Sequence, residues 1–188
     1  MDKKLLERFC ALLGDENVRA EEGMKKHTTF RIGGPADYFL VPENIEQVRG
    51  ILKICREEEM PYFFVGNGSN LLVSDAGYRG AVIHLGSHFS GVAIQGNQIR
   101  AGAGALLSAV AAAARNAALT GMEFAGGIPG TVGGAVVMNA GADGGEMKHI
   151  LKEVTVMDSD GETMVLPVQE LELGYRTSII KQKDYLVL

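Results

Sequence analysis

The chain has no tryptophan, two cysteines, and aromatics at only 6% of its 188 residues. It also lacks a basic block: 18 Lys and Arg stand against 23 Asp and Glu, for a net charge of −5. Without clustered cations and interleaved rings nothing is built to neutralise a phosphate backbone, which argues against nucleic acid as the main partner. Cys10 and Cys55 fall in separate expected helices, and two lone thiols fit a reducing cytoplasm better than a disulfide framework. Neither has a recognisable base partner in sequence, so a thiol nucleophile is not expected. Long apolar runs are missing too. The start, MDKKLLERFCALL, mixes acids with bases and reads as an amphipathic helix, not a signal peptide. The most apolar stretch, AGAGALLSAVAAAARNAAL, is broken by Arg115 and Asn116 and is no membrane span. Metal spacing is absent as well: Gly86-Ser87 separates His84 from His88, and His27 and His149 lack nearby ligands. No metal is expected, and the four histidines read as surface or hydrogen-bonded side chains.

What remains is a globular balance of 46% hydrophobic and 22% charged residues with 25 glycines. Residues 3 to 13 read as a helix. FRIGGPADYFLVP turns at Gly33-Gly34-Pro35 and becomes a strand. Asn44 is the N-cap of a helix reaching Glu59, with Ile45, Val48, Ile51, Leu52 and Cys55 at helical spacing. YFFV at 62–65 reads as a buried strand and AVIHL at 81–85 as another, closing an α/β unit near residue 86. A second unit follows: a hairpin turning at Gly96-Asn97, a helix over 105–119, a glycine-dense tract, a hairpin around Asp160-Gly161, and the apolar strand YLVL. YLVL stops without a polar tail, and the expectation is a chain cut before its natural end.

Two loops carry the chemistry. VGNGSNLLV, Val65 to Val73, sets glycines, amides and a hydroxyl behind an apolar strand. Bare glycine backbone lets a ligand approach, and successive N–H groups in such a turn converge on an anion. No Lys-Ser or Lys-Thr follows, so this is not a P-loop; a diphosphate held by neutral donors suits it better, and a plain turn is the alternative. GGIPGTVGGAVVMNAGADGG, 126 to 145, interleaves glycine with apolar residues that demand burial. Close approach to something flat or bulky explains it, as does tight packing with no ligand at all. AGAGALLSA at 101–109 only approximates a G-x-G-x-x-G spacing. No acid-terminated β-α-β follows it, so a Rossmann assignment is rejected. In YRTS, Arg176 reads as a solvent-exposed loop tip or as a cation for a substrate carboxylate or developing enolate.

Taken together, HTTFRIGGPADYFLVP, VGNGSNLLVSDAGYRGAVIHL, the tract through AGGIPGTVGGAVVMNAGADGGEM, and LGYRTSIIK resemble the UDP-N-acetylenolpyruvoylglucosamine reductase family from about Lys25 onward. The resemblance implies an α+β, two-subdomain FAD-binding fold of the p-cresol methylhydroxylase type, with subdomains at 1–86 and 87–188. It implies non-covalent FAD, with Gly66, Asn67, Gly68, Ser69, Asn70 and Leu71 in the diphosphate loop. Gly126, Gly127, Ile128, Pro129, Gly130, Thr131, Gly133, Gly134 and Ala135 match a second wall, and Asn139, Ala140 and Gly141 lie beyond it. Arg176 matches the arginine that stabilises the intermediate. The implied reaction is NADPH-dependent reduction of UDP-N-acetylglucosamine enolpyruvate in the bacterial cytoplasm, serving peptidoglycan synthesis, cell-wall biogenesis, cell shape, the cell cycle and cell division. Family members continue into a third, substrate-binding domain that supplies a proton donor and a glutamate. No residue here matches either, Ser178 included, so the 188-residue chain is expected to hold flavin without turning over substrate. A stand-alone flavin module and another oxidoreductase of the same fold are the competing readings.

Overall fold

Helix α1 (Lys3–Leu13) starts where the Asp2 carboxylate accepts from the Lys4 and Leu5 amides at 2.9 and 3.4 Å. That satisfies donors which a first helical turn leaves open. Leu5, Phe9 and Leu13 form its buried stripe. Asn44 caps α2 (Ile45–Glu57) in the same way, accepting from the Gln47 amide at 2.9 Å. The computed structural model describes residues 2–188 and divides into two compact units, the first running to His88 and the second from Phe89.

The first unit is built on a four-stranded sheet of order β1-β2-β4-β3: β1 is Val18–Gly23, β2 Pro35–Leu40, β3 Tyr62–Val65 and β4 Tyr78–His84. β1 runs antiparallel to β2, while β4 lies parallel to both β2 and β3. On one face α1 meets the sheet through Phe9, whose ring centre is 5.2 Å from that of Tyr38. α2 closes on α1 at Gly50, where the Leu12 side chain leaves no room for a Cβ. The other face gathers Phe39 and its register partner Val82 with Met24, Ala36, Val65 and Val73. Met24 and Val73 belong to loops, so segments 24–34 and 66–77 roof this face. The Thr29 amide donates to the Gly68 carbonyl at 3.1 Å, and the Gly34 amide to that of Ser74 at 2.9 Å. Truncating the fully buried Phe39 would cost about 3–5 kcal/mol.

Two elements here differ from the sequence reading. Nothing in VRAEEG announces β1, since Glu and Arg carry little strand propensity. It forms because it pairs along β2, from Val18 against Leu40 to Gly23 against Pro35. YFFV reads as a buried strand, yet only Val65 is buried and the three aromatics are half-buried. β3 is an edge strand, so one flank stays open.

In the second unit, β5 (Val92–Gln95) and β6 (Gln98–Ala101) form the hairpin expected around Gly96-Asn97. α3 (Leu107–Asn116) is shorter than the 105–119 span, because Leu106 is held extended in a bridge to Thr131. α4 (Val132–Val137) is a short helix inside the glycine tract that sequence patterning does not reveal. β7 (Gly141–Ala142) and β8 (Gly145–Glu146) make a minimal hairpin. β9 (Glu153–Met157) is the centre of a three-stranded antiparallel sheet, flanked by β10 (Thr163–Pro167) and β11 (Leu186–Val187). α5 (Ile179–Gln182) is capped by Ser178. Among the described residues no helix is long and apolar enough to cross a membrane.

Candidate functional site

The carboxyl ends of β3 and β4 carry Val65 and His84 side by side in register. Ligands of open parallel sheets collect at such ends. A cleft of about 260 Å³ opens here. Lys26, His27, Thr28 and Thr29 line it from the segment after β1, and Gly66, Asn67 and His84 from the strand ends. No carboxylate is among the lining residues. Of the expected diphosphate loop, Asn67 and Asn70 are exposed, Gly66 and Ser69 are half-buried, and Leu71 packs on the core beneath. Gly68 serves the fold: its φ is 60°, and a Cβ would collide with the His27 carbonyl oxygen. Close backbone approach between the two roofing segments is what that position requires.

Glu22 organises the cleft's edge from behind. Its carboxylate, 11% exposed, meets Lys26 Nζ at 3.1 Å, His27 Nε2 at 2.9 Å and Arg19 Nη1 at 3.5 Å. Burial works against its ionised form, but the hydrogen bonds from His27 and Lys26 outweigh it and hold the carboxyl below its ordinary range. The His27 ring stacks on Phe39 at 3.9 Å between centres, and His84 stacks on the same ring at 5.7 Å. His84 is half-buried at the cleft, and its Nδ1 is enclosed with no hydrogen-bond partner. Burial pushes its pKa down from 6.5, against the pull of backbone hydrogen bonds at Val65 and Gly66, and so favours the neutral ring. None of the five side chains from Lys26 to Thr29 and at His84 stands out from spacing. The traceable signal is parity, since His84 falls two residues after Val82 on the roofed face.

The glycine tract of the second unit divides by function. Gly126 and Gly127 are exposed, and a Cβ on either would meet nothing within 4 Å, so their backbone is open to a ligand. Gly134 is also exposed, with only the Thr131 hydroxyl 3.7 Å from a Cβ. Ile128 and Gly130 are half-buried, Pro129 is exposed and Thr131 buried. Gly133 packs on the Ala103 side chain, and Gly141 on Gly145 and Glu146. The first amides of α4 are committed internally, Val132 to the Ala105 carbonyl and Gly133 to that of Ala103, both at 2.8 Å. Ala135 and Ala140 are core residues.

Asn139 is buried, and its side chain is occupied by the protein itself. Its amide donates to Glu146 Oε2 at 2.7 Å and to the Gly174 carbonyl at 3.1 Å, while its oxygen accepts from the Lys148 amide at 2.9 Å. Lys148 holds the Glu146 carboxyl below its ordinary range. Asn139 thereby ties the tract to the loop that bears Arg176. That arginine is exposed, with φ 56°, and its guanidinium lies 5.6 Å from the Tyr175 ring centre. Ser178 is fully buried, donating to the Val137 carbonyl at 2.7 Å. Both cysteines are free; burial pushes the Cys55 thiol up to about 12.

In the first unit the cleft, lined by cationic and hydroxyl side chains, fits an anionic group such as the diphosphate of a dinucleotide; in the second, the open glycines leave backbone exposed. Relatives point the same way. The chain is 51% identical over its whole length to UDP-N-acetylenolpyruvoylglucosamine reductase of Alkaliphilus metalliredigens, spanning 62% of that protein. It is 48% identical over 94% of its length to the enzyme of that name from Clostridioides difficile, spanning 58% of it. Among solved structures, the UDP-N-acetylenolpyruvylglucosamine reductase of Thermus caldophilus is 39% identical with a TM-score of 0.76, over 90% of this chain and 60% of that one. p-Cresol methylhydroxylase, 19% identical over 86% of this chain and 34% of that one, shares the fold at a TM-score of 0.63. The family model for the FAD binding domain matches residues 36–166, and the chain belongs to that family.

Proposed function

We propose that the chain is the flavin-holding part of a UDP-N-acetylenolpyruvoylglucosamine reductase. The observation that carries this is 51% identity to a reductase of that name across the whole chain. The chain spans 62% of that relative's length, and the reduction itself is proposed for a protein of the relatives' full length. In this reading Gly66, Asn67, Ser69 and Asn70 receive the diphosphate, the exposed Gly126 and Gly127 offer open backbone to the cofactor, and Gly68 and Asn139 each keep their own loop in shape. Bound there, FAD would supply the hydride relay from NADPH to the substrate's enolpyruvyl double bond. Arg176, a permanent cation on an exposed loop tip, stabilises the negative charge that develops beside the substrate carboxylate. The substrate, NADPH and a place in bacterial peptidoglycan synthesis belong to the same proposal.

The test starts with the visible spectrum of the purified 188-residue chain during titration with FAD. Saturable binding with a shifted flavin band is expected. A folded protein that ignores FAD would sink the assignment of these loops. A protein of the relatives' length should then oxidise NADPH only when given UDP-N-acetylglucosamine enolpyruvate; flavin binding without that turnover would reject the reductase reading.

A further inference from the structure

The cleft at the ends of β3 and β4 has more cationic character than a loop of neutral donors requires. We propose that Lys26, His27 and His84 are the side-chain half of a phosphate seat whose backbone half is Gly66–Asn67. The inference rests on the flavin reading for the identity of its ligand, the diphosphate of a dinucleotide, but it has its own chemistry.

Three observations carry it. The cleft is lined by one ammonium, two imidazoles, two hydroxyl side chains and glycine backbone, with no acid among them. The Glu22 carboxylate, outside that lining, tethers Lys26 and His27 in place. Arg19 joins it at 3.5 Å, so two permanent cations face one anion even with both rings neutral. Finally, His84 Nδ1 is enclosed without a partner at the edge of the cleft. A buried polar atom in that state is costly, and a ligand oxygen arriving in the cleft relieves the cost if the ring turns to meet it. A ring that merely packed at a strand end would be equally served by an apolar side chain.

The charged and titratable groups facing His84 are His27 and Arg19, which disfavour its protonation, with Glu22 and Lys26 paired behind them. An added phosphate reverses that balance and favours the imidazolium. Binding then takes up a proton, so affinity is greatest at low pH and falls as pH rises through the ring's pKa in the bound form.

The experiment follows the four histidine imidazoles by nitrogen-15 NMR in the 188-residue chain while sodium pyrophosphate, and separately FAD, is added. With pyrophosphate the His27 and His84 signals should move, and His84 should titrate at higher pH, while the His88 and His149 signals stay in place. Affinity for FAD, whose diphosphate does not change charge near neutral pH, should fall as pH rises through the ring's pKa in the bound form, and His84→Asn should flatten that slope. Lys26→Met should weaken pyrophosphate about tenfold, the loss of one charge-assisted contact. FAD bound with both imidazoles unmoved would overturn the seat and leave the flavin reading standing. Imidazoles that answer pyrophosphate in a chain that ignores FAD would uphold the seat and reject that reading. Failure of both ligands would reject both.

Discussion

Asn139 shows how little a side chain's surroundings are visible from its neighbours in sequence. The family resemblance puts NAG at 139–141 just beyond a cofactor wall, and nothing in it foretells that the Asn139 amide is engaged by Glu146, Lys148 and Gly174. The last two partners come from different loops, and no local pattern encodes that meeting. Its φ of 41° adds a second demand, since the left-handed region tolerates asparagine better than most residues. Asn139→Ala should therefore lower stability by about 2 kcal/mol in urea unfolding, through unpaired buried groups and backbone strain together. A loss below about 0.5 kcal/mol would show that the three contacts carry no net weight. Cys55 was legible by contrast. Its place in the apolar stripe of α2 foretells burial, and burial explains an inert thiol.

Among elements, the ones with local signals were readable. Asn44 and the 3.6-residue stripe mark α2, and Gly96-Asn97 marks the β5–β6 hairpin. β1 and α4 were not readable, because each exists through a partner: β2 for the first, and the Ala103 and Ala105 carbonyls for the second. The glycines of the two loops look alike in sequence and differ in what surrounds them. Gly68→Ala meets both an unfavourable φ and the His27 carbonyl, so it should cost more than about 2 kcal/mol or prevent folding of the first unit. Gly126→Ala meets open space and should leave the unfolding free energy within about 0.5 kcal/mol of the parent while weakening FAD. Equal effects of the two on stability would remove the distinction between a glycine kept for folding and one kept for a ligand.

For the whole molecule, the order of elements points to two units and the family resemblance to an α+β fold, whereas the cationic cleft depends on a return of the chain after β1 that sequence does not announce. Its pH response can be worked out from two groups. Glu22 has its pKa depressed in the fold, so its contribution is complete above the ordinary carboxylate value of 4.5 and is lost as pH falls through the folded one. His84 is also depressed, from 6.5, so the unfolded chain takes up that proton first and stability drops as pH falls below 6.5. Both act in the same direction. Unfolding free energy should decline in two stages on acidification, and His84→Leu should abolish the earlier stage; a ligand-free stability profile that is flat from about pH 7 to 5 would contradict the neutral, enclosed state of the ring.

The amides of Thr29 and Gly34 reach across from one roofing segment to carbonyls of the other. Neither segment can lift from the sheet without breaking bonds that belong to both, so their exchange with deuterated solvent passes through one shared opening. A ligand resting on Gly66 and Asn67 would consequently slow exchange as far away as Gly34, and residues on two separate stretches of sequence behave as one kinetic body.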